Sequence, residues 1–310
     1  RIFLAPIKMT MVPEIMNMDM PVEGVFHNLV IAQIQKDFAG QGQKVMYAMW
    51  GAGQMMFNKI LVIADQGVDI TDYKALAQYA FRNLNVATDV QFSNGPMDVL
   101  DHSCSKLGFG GKMCIDGTAK LPEEQDDRYL SGQMKFTLTE KDILDAHPGV
   151  TSVNTSLTAM DIPCLVVAVK KERKGQVKAL HRAIAAMNGM EAISMILYVE
   201  HTVDPKDLAT ALWRFCNNLD PKRDQFLHEH DSVTMPGKIH ACLGLDGTIK
   251  TKEWDDFQRD WPNIIVADPA TIASVDAKWD QLNIGPFLAS PSLKFKDQMY
   301  GTEAVANTVG

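Results

Sequence analysis

The chain contains one unit twice. The segment from Val25 to Asp89 realigns without a gap on the segment from Met160 to Asp224. The phrase DGTAK at residues 116–120 recurs as DGTIK at residues 246–250, earlier than the same alignment would place it, so the second copy is about five residues shorter in one loop. A period this long predicts a duplicated domain, because the units of solenoid repeats are typically ~20–50 residues long.

Composition limits the class of protein. With 310 residues, 46% hydrophobic and 22% charged, the chain is expected to be globular, with about two domains. A net charge of −8 argues against nucleic acid as a partner, and no apolar run reaches the ~18–20 residues of a membrane span. The five cysteines are odd in number and lack a CxxC pair, which favours a reducing cytoplasm over a disulfide framework.

The hydrophobic pattern of each copy predicts strand, helix, strand, helix, strand. In the first copy the strands are expected at Val25–Ile34, at Ile60–Ala64 and after Asp89, with helices over Gln41–Met56 and from Tyr73 onward. This order favours right-handed βαβ crossovers. We therefore expect an α/β fold of two tandem repeated lobes, each a mainly parallel sheet flanked by helices.

Domain limits follow from the repeat. The first lobe is expected over residues 21–135, the second lobe with a C-terminal tail over 150–290, and an extension over 291–310. The chain begins at Arg1 rather than at a methionine, and we expect it to be a fragment of a longer protein, natural or experimental. Residues 1–20 would then connect to a further domain upstream.

The first 120 residues carry a family resemblance. The motifs are long and in order: RIFLAPIKMTMVPEIMNMDMPVEGVFHNLVIAQI, QKVMYAMWGAGQMMFNKILVIADQGVD, VLDHS and GGKMCIDGTAK. They resemble the C-terminal part of the UbiD family, the 4-hydroxy-3-polyprenylbenzoate decarboxylase-like enzymes. The tail RDWPNIIVADPATIASVDAKWDQLNI is similar to the end of that family but follows the second copy, as in longer bacterial members associated with menaquinone-type quinone synthesis.

The resemblance implies an activity for the longer protein. It implies a carboxy-lyase that removes CO₂ from aromatic or unsaturated acids with prenylated FMN, a divalent metal (Mn²⁺) and K⁺, in quinone biosynthesis. It places the catalytic residues in an N-terminal domain upstream of Arg1, and it gives this C-terminal part a lid and homo-oligomer role. We accordingly expect no cofactor on this chain alone, no activity of its own, and a cytoplasmic protein, with membrane association through a lipophilic substrate left open. The alternative is a non-catalytic α/β oligomerisation or small-ligand-binding module.

Five residues are candidates for contact with cofactor or substrate. Glu23 and His27 lie in the motif PVEGVFHN, where a histidine could bind substrate or move protons, although anchoring of a strand end is the simpler role. The lysine that the family places near the cofactor aligns with Ala52, so the resemblance leaves Lys59 as a substitute. Asp65 follows a buried strand, as Glu200 does in the second copy, at the edge where α/β sheets bind ligands, although an acidic loop that caps the next helix is the simpler role.

Lys112 ends the glycine-rich run GFGGK, which resembles a phosphate loop without its spacing. A strand is predicted after it, so a tight glycine turn is the default. His228 and His230 would project from one strand face, but no third metal ligand is evident, and no metal site is predicted. Asp101, His102 and Ser103 have the side chains of a hydrolase triad, but adjacent residues cannot converge on one substrate atom.

Overall fold

The computed structural model describes residues 2–130 and 134–307. The first half contains α1 (Leu4–Thr10), β1 (Ile15–Asp19), β2 (Leu29–Ile34), α2 (Gln41–Trp50), β3 (Ile60–Asp65), α3 (Tyr73–Asn83), β4 (Val90–Pro96) and β5 (Phe109–Asp116). The second half contains α4 (Glu140–Ala146), β6 (Val150–Asn154), β7 (Cys164–Val169), α5 (Gln176–Ala185), β8 (Met195–Glu200), α6 (Leu208–Asn218), β9 (Gln225–Asp231) and β10 (Ile239–Asp246). The tail adds α7 (Lys252–Asp255), α8 (Pro269–Asp276) and α9 (Trp279–Leu282).

The duplication is structural. Strands β1–β4 and helices α2 and α3 each have a counterpart in the second half that begins at the aligned residue. Strand β10, the counterpart of β5, begins at Ile239, five residues before the position that the same alignment gives. The connection before β5 covers residues 97–108, whereas the one before β10 covers only 232–238. The difference in length between the copies therefore lies in this loop, and the prediction of two tandem α/β lobes is confirmed.

Each lobe has a five-stranded mixed sheet. The strand orders are β1-β2-β3-β5-β4 and β6-β7-β8-β10-β9, and the three inner strands of each sheet are parallel. Both edge pairings are antiparallel, including that of β4, the strand predicted after Asp89. The short connection between β4 and β5 contains no crossover helix, so the chain returns beside β4 in the opposite direction. The sheets are thus parallel only in their centre.

Two element boundaries differ from the prediction. The strand expected from Val25 begins at Leu29, because Val25 has φ 40° and lies between two short 3₁₀ turns. The helix expected to reach Met56 ends at Trp50, and a 3₁₀ turn over Gly53–Phe57 follows. Gly53 has φ +48°, a conformation that glycine adopts without a Cβ clash. Hydrophobic residues keep their regular spacing across the start of β2 and the end of α2, so the sequence pattern does not show either boundary.

Helices α3 and α6 begin where the sequence indicated. Asp72 Oδ1 accepts a hydrogen bond from the Ala75 amide at 3.0 Å, and Asp207 Oδ1 accepts one from the Thr210 amide at 3.2 Å. These side chains satisfy amides that have no partner within the first helical turn. In each copy the capped helix then follows the second parallel strand and returns across the sheet.

The two lobes share a central layer of helices. On its outer face the first sheet packs against α1 and α2, and the second packs against α4 and α5. The inner faces of both sheets contribute to one apolar core with α3 and α6, which includes Ile60, Met113, Met195 and Phe215. The order of layers is therefore helix, sheet, helix, sheet, helix.

A pseudo-two-fold relation links the lobes. Helix α6 packs on the 3₁₀ turn at residues 22–24, and Asn28 Nδ2 donates to Asn217 Oδ1 at 3.3 Å. Reciprocally, Gln78 Nε2 of α3 donates to the Met160 carbonyl at 2.7 Å, in the segment that corresponds to residues 22–28. Equivalent surfaces thus meet in both directions, as they do across a symmetric dimer interface.

The repeated Asp-Gly-Thr-x-Lys phrase closes the carboxyl end of each sheet. Thr118 Oγ1 donates to Asp116 Oδ1 at 2.6 Å, and Lys120 Nζ lies 3.6 Å from both Asp116 and Asp89. The second copy repeats this arrangement with Thr248, Asp246, Lys250 and Asp224. The last strand is thereby tied to the loop before β4 or β9.

The tail folds back on the second lobe. Trp261 and Phe257 form a small core with Ile249, and Asn263 Nδ2 donates to the Tyr300, Gly301 and Glu303 carbonyls. Phe295 packs edge-on against Trp213 of α6 at 5.3 Å between ring centroids. Across the described ranges, no helix has the length and apolar character that crossing a membrane requires.

The glycine of the repeated phrase provides a matched test of the duplication. A Cβ at Gly117 would lie 2.7 Å from Ala80 Cβ, and one at Gly247 would lie 2.8 Å from Phe215 Cδ2 and 3.0 Å from its Cα. We expect Gly117→Ala and Gly247→Ala each to lower the free energy of unfolding by about 1–3 kcal/mol. Gly67→Ala is the control, because its Cβ would meet nothing within 4 Å. Urea unfolding measures all three, and wild-type stability of Gly247→Ala would contradict the shared packing.

Candidate functional site

The five candidate residues do not form one cluster. His27, Lys59 and Lys112 lie at the amino-terminal edge of the parallel strands: His27 and Lys59 precede β2 and β3, and Lys112 lies within β5, one residue before its pairing with β3 begins. Asp65 ends β3 at the opposite edge, and Glu23 lies on the 3₁₀ turn that packs against α6. The amino-terminal edge therefore collects most of them, and we refer to it as the lysine edge.

His27 fixes the start of the lysine edge through its backbone. Its carbonyl accepts hydrogen bonds from the Lys59 amide at 3.1 Å and from Asn58 Nδ2 at 2.9 Å. Its ring lies 5.9 Å from the Phe57 ring, and Nδ1 is 3.9 Å from Asp98 Oδ2. These contacts anchor a strand end, which is the simpler of the two roles considered for it.

Lys59 is buried in an ion pair. Its side chain is 0% exposed, and Nζ lies 2.6 Å from Asp101 Oδ2, whose side chain is 1% exposed. Ser103 donates to Asp101 Oδ1 through both its amide and its hydroxyl, at 2.9 and 2.6 Å. Burial raises the pKa of Asp101, but Lys59 and Ser103 together hold it below its ordinary value. The carboxylate of Asp101 is thus held next to a lysine inside the protein.

The same lysine reaches into the second lobe. Lys59 Nζ donates to the Cys216 carbonyl at 2.9 Å, in the last turn of α6, and Ser103 Oγ lies 2.9 Å from the Leu219 carbonyl. The last carbonyls of a helix have no partner within the helix, and cations are favoured there. The ion pair thus joins the two lobes, and we call residues 101–105 together with Lys59 the clasp.

Arginines from the second lobe and its tail hold the clasp from outside. Arg223 Nη1 donates to the Ser103 carbonyl at 2.8 Å, and Arg259 Nη1 donates to the Cys104 carbonyl at 2.7 Å. His102 Nε2 lies 3.2 Å from Asn218 Oδ1, and its ring meets Trp261 edge-on. Burial and the Lys59 charge lower the pKa of His102 to about 4. Because His102 pairs with Asn218 while Ser103 Oγ donates to Asp101, these contacts are not those of a hydrolase triad.

The glycine-rich run binds a carboxylate of the chain itself. The Gly111 amide donates to Asp220 Oδ1 at 3.1 Å, and a Cβ on Gly111 would lie 2.1 Å from that oxygen. A Cβ on Gly110 would lie 2.4 Å from Cys104 Sγ. Backbone amides in such a concavity can hold an anion, but here Asp220 occupies it. The run turns at Gly108, which has φ 71°, and enters β5 at Phe109, so with Asp220 against Gly111 it does not fit a flavin phosphate.

Two motifs that distinguish the first copy are thus covered. VLDHS and GFGGK both pack against the second lobe, through α6 and the turn at residues 220–223. VLDHS has no counterpart because the 232–238 connection is shorter, and the residues that replace GFGGK, at 238–242, lie at the start of β10. Contact between lobes, rather than contact with another domain, accounts for these motifs in the structure.

Lys112 is a buried lysine without a carboxylate partner among its described contacts. Its Nζ donates to the Met56 and Asn58 carbonyls at 2.6 and 2.7 Å and lies 5.9 Å from the Trp50 ring centroid. The residue is 2% exposed, and burial lowers its pKa to about 8. A lysine with a lowered pKa can act as a base or a nucleophile. Here the 3₁₀ turn over Gly53–Phe57 covers the Lys112 amine and excludes a ligand from it.

Asp65 ties its strand to the next helix. It accepts hydrogen bonds from Tyr79 Oη and from the Ala119 amide, both at 2.7 Å. In the second lobe Glu200 and Arg214 occupy the two equivalent positions, and Arg214 Nε donates to Glu200 Oε1 at 2.7 Å. The acid is therefore duplicated together with a partner on the following helix, an arrangement that serves packing.

Three histidines meet on the edge of the second sheet. His230 lies directly opposite His240 in the antiparallel register, and its ring centroid is 5.4 Å from that of His228 and 5.1 Å from that of His240. Sequence analysis missed His240, because only the register of β9 on β10 brings it to the pair. No set of three or more His, Cys, Asp or Glu residues within 2–130 and 134–307 is arranged to hold a metal ion.

The clasp makes a prediction about stability. Lys59→Met leaves Asp101 buried without its cation, and removal of one partner of a buried pair costs about 3–5 kcal/mol. We expect the double variant Lys59→Met/Asp101→Leu to recover most of that loss. Lys141→Met is the control, since its pair with Asp145 is exposed and is worth less than about 1 kcal/mol. Urea unfolding of the chain measures the three, and a mild effect of Lys59→Met would refute the clasp.

The buried histidines of the second lobe predict acid sensitivity. His181 is 0% and His240 3% exposed, and burial lowers the pKa of each to about 4. Their folded-state pKa lies below the unfolded value of ~6.5, so their contribution is complete above that pH and is lost towards pH 4. We expect each to cost roughly 2 kcal/mol by pH 5.

His240→Gln should therefore lose less stability than the wild type between pH 7.5 and 5.0, as measured by urea midpoints. An identical pH dependence of the two proteins would contradict this assignment. Because both proteins keep the same carboxylates, their difference isolates the histidine.

Comparison with known proteins gives the family. A model of the UbiD C-terminal domain, described as "3-octaprenyl-4-hydroxybenzoate carboxy-lyase C-terminal domain", matches residues 1–117 and 136–238. An uncharacterized protein of Helicobacter pylori (strain J99) is 28% identical over 268 residues, covering 84% of this chain and 39% of that protein. An uncharacterized protein of Archaeoglobus fulgidus is 39% identical over 147 residues, covering 47% of this chain and 30% of that protein. The chain thus spans about two fifths or less of these relatives.

Solved structures give partial matches. The UbiD-class enzyme HmfF from Pelotomaculum thermopropionicum, in complex with FMN, is 22% identical over 42% of this chain and 29% of that one, with a TM-score of 0.35. Vanillic acid decarboxylase from Sedimentibacter hydroxybenzoicus, in open form, is 18% identical over 46% of this chain and 31% of that one, with a TM-score of 0.34. The family model matches well over half of the chain and extends into both lobes. The chain therefore belongs to the UbiD family, of which it carries a C-terminal portion.

Proposed function

We propose that the longer protein containing this chain is a UbiD-like carboxy-lyase that uses prenylated FMN. Its substrates would be aromatic or unsaturated carboxylic acids, and its pathway quinone biosynthesis. The observation that carries the proposal is the family match, which extends across the first lobe and most of the second. The motifs responsible lie in the core strands and in the clasp, so they also account for the fold.

The described residues fit a supporting role better than a catalytic one. Asp220 occupies the Gly111 amide at the start of β5, Asp101 pairs with Lys59, and Lys112 is enclosed. An upstream N-terminal domain would therefore hold the flavin, the Mn²⁺ and the K⁺, and would supply the catalytic residues. This chain would supply lid surface and contacts for a homo-oligomer in the cytoplasm. Prenylated FMN, when bound, supplies the electron sink for decarboxylation.

Of the five candidates, Glu23 is the best placed to act on a partner surface. It is partly exposed on the turn at residues 22–24, whereas Lys59 and Lys112 are buried and Asp65 is engaged with Tyr79. His27 is partly buried at the strand end. We propose Glu23 first, and then His27, as residues close to cofactor or substrate in the assembled enzyme, whereas Lys59, Asp65 and Lys112 support the fold beneath them.

A second candidate function is a non-catalytic module for oligomerisation or ligand binding. The observation that favours it is an apolar cleft between the lobes, which no step of the decarboxylase proposal requires. This function is compatible with the first, because a supporting domain can hold a ligand of its own.

The decarboxylase proposal is tested on the longer protein. We expect it, loaded with prenylated FMN, Mn²⁺ and K⁺, to release CO₂ from at least one acid in a panel of aromatic and unsaturated acids. The 310-residue chain alone should release none, because the proposal assigns the cofactor and the catalytic residues to the upstream domain. Folded, flavin-loaded protein that is inactive on the whole panel would contradict the activity, and CO₂ release by the chain alone would contradict the division of roles.

The position of Glu23 predicts a difference between the lobes. Its counterpart at the same place in the second copy is Thr158. We expect Glu23→Ala to reduce turnover of the longer enzyme by ~10-fold or more, the scale of a misplaced active-site contact. Thr158→Ala should leave turnover within about twofold under the same conditions. Both variants are first checked for wild-type unfolding midpoints, and equal turnover of the two would refute the role of Glu23.

A further inference from the structure

The central layer contains a cavity that the packing of the lobes does not fill. It measures about 590 Å³ and lies between the inner faces of the two sheets, beside α3 and α6. Both lobes line it, with Ile60 and Met113 on one wall and Met195 and Phe215 on the other. We call it the inter-lobe cleft.

Central strands of the two sheets are incompletely covered along the inter-lobe cleft. Val62, Ile115 and Leu197 lie on inner parallel strands, yet each retains partial exposure. Such strands are ordinarily covered on both faces. Their exposure shows that α3 and α6 together do not fill the space between the sheets.

Water is a poor occupant of this space. The deep lining is made of aliphatic, methionine and phenylalanine side chains, so a water molecule inside would find few polar partners. Enclosed apolar cavities of ~150 Å³ stay dry and bind apolar molecules; this cleft opens to solvent at its rim and is about four times larger. At roughly 30 Å³ for each water-sized group, it has room for about 15–20 methylene-sized groups.

The rim of the cleft is polar on one side only. Glu23, Tyr73 and Lys74 line it from the first lobe, and Tyr73 Oη donates to Asp19 Oδ2 at 2.8 Å. The positions equivalent to Tyr73 and Lys74 in the second lobe are Leu208 and Ala209, which also line the cleft. The duplication has therefore kept a polar rim on one lobe and an apolar rim on the other.

We infer that the inter-lobe cleft binds a lipid-like molecule with a single hydrocarbon chain of about 15–20 carbons. The chain lies between the sheets, and its small polar head lies at the rim formed by Glu23 and Lys74. Fatty acids and linear isoprenoids share this chemistry. The inference does not depend on the decarboxylase proposal, because every contact in it comes from the 310-residue chain.

Two probes distinguish the sources of such a ligand. cis-Parinaric acid, a fluorescent fatty acid, is titrated into the purified chain, and farnesol, an isoprenoid alcohol, is used to displace it. We expect saturable binding with one site per chain. Lys74→Met should weaken binding of the acid but not of the alcohol, because only the carboxylate pairs with the ammonium group.

Filling the cleft tests its location. Ala211 is 2% exposed and lines the second-lobe wall, whereas Ala77 is partly exposed and lines the first-lobe wall. Ala211→Phe and Ala77→Phe should each reduce the affinity for both probes ~10-fold or more, because the added ring occupies the ligand's volume. Ala183→Phe, at an exposed position of α5, is the control. Unfolding midpoints identify any variant that fails to fold. The probe affinity of the other cleft-filling variant then tests where the ligand binds.

Other results of these experiments would overturn the inference or part of it. Absence of saturable binding by either probe, or binding that folded cleft-filling variants retain at full affinity, would overturn the inference. Probe binding that falls as the chain dimerises at rising concentration, followed by sedimentation, would instead assign the cleft to a second copy of the chain. Parinarate binding that Lys74→Met leaves unchanged would overturn the position of the head at this rim.

Discussion

The structure depends on one buried charge pair at the end of a helix. Lys59 and Asp101 are withdrawn from water, and the cost of burying them is offset by Ser103 and by the terminal carbonyl of α6 at Cys216. Since the lysine belongs to the first lobe and the helix to the second, the pair is satisfied only when the lobes are docked. Folding of the lobes and their assembly are thereby coupled.

Duplication produced the lobe that carries α6, and divergence of the two copies left the clasp in the first lobe. The cores repeat position by position, because a buried methyl group cannot be moved without a cavity or a clash. Polar pairs changed more freely: Tyr79 with Asp65 in one lobe corresponds to the buried pair of Arg214 with Glu200 in the other. The interaction between helix and strand end was conserved while its chemistry changed from a neutral donor to a cation.

Periodicity and capping predicted the elements well, since each depends on neighbours in sequence. The α3 cap at Asp72 and the strand over Met113–Asp116 are examples, although β5 begins earlier, at Phe109 within the glycine run. The antiparallel edge strand β4, the partner of Lys59 and the meeting of His230 with His240 all depend on contacts that the sequence pattern does not contain. Val25 shows the same limit locally, because its positive φ interrupts a run that is apolar throughout. The sequence therefore assigned the candidate site residues to the correct lobe but did not predict which residues surround them.

The shortened connection between β9 and β10 has a mechanical consequence. A perfect two-fold would join the lobes by two clasps at opposite ends of the central layer, whereas the described residues provide one. Local opening begins where buried contacts are fewest. The two lobes are therefore joined by a clasp at only one end of the central layer. Any separation of the lobes would hinge about the carboxyl end of α6.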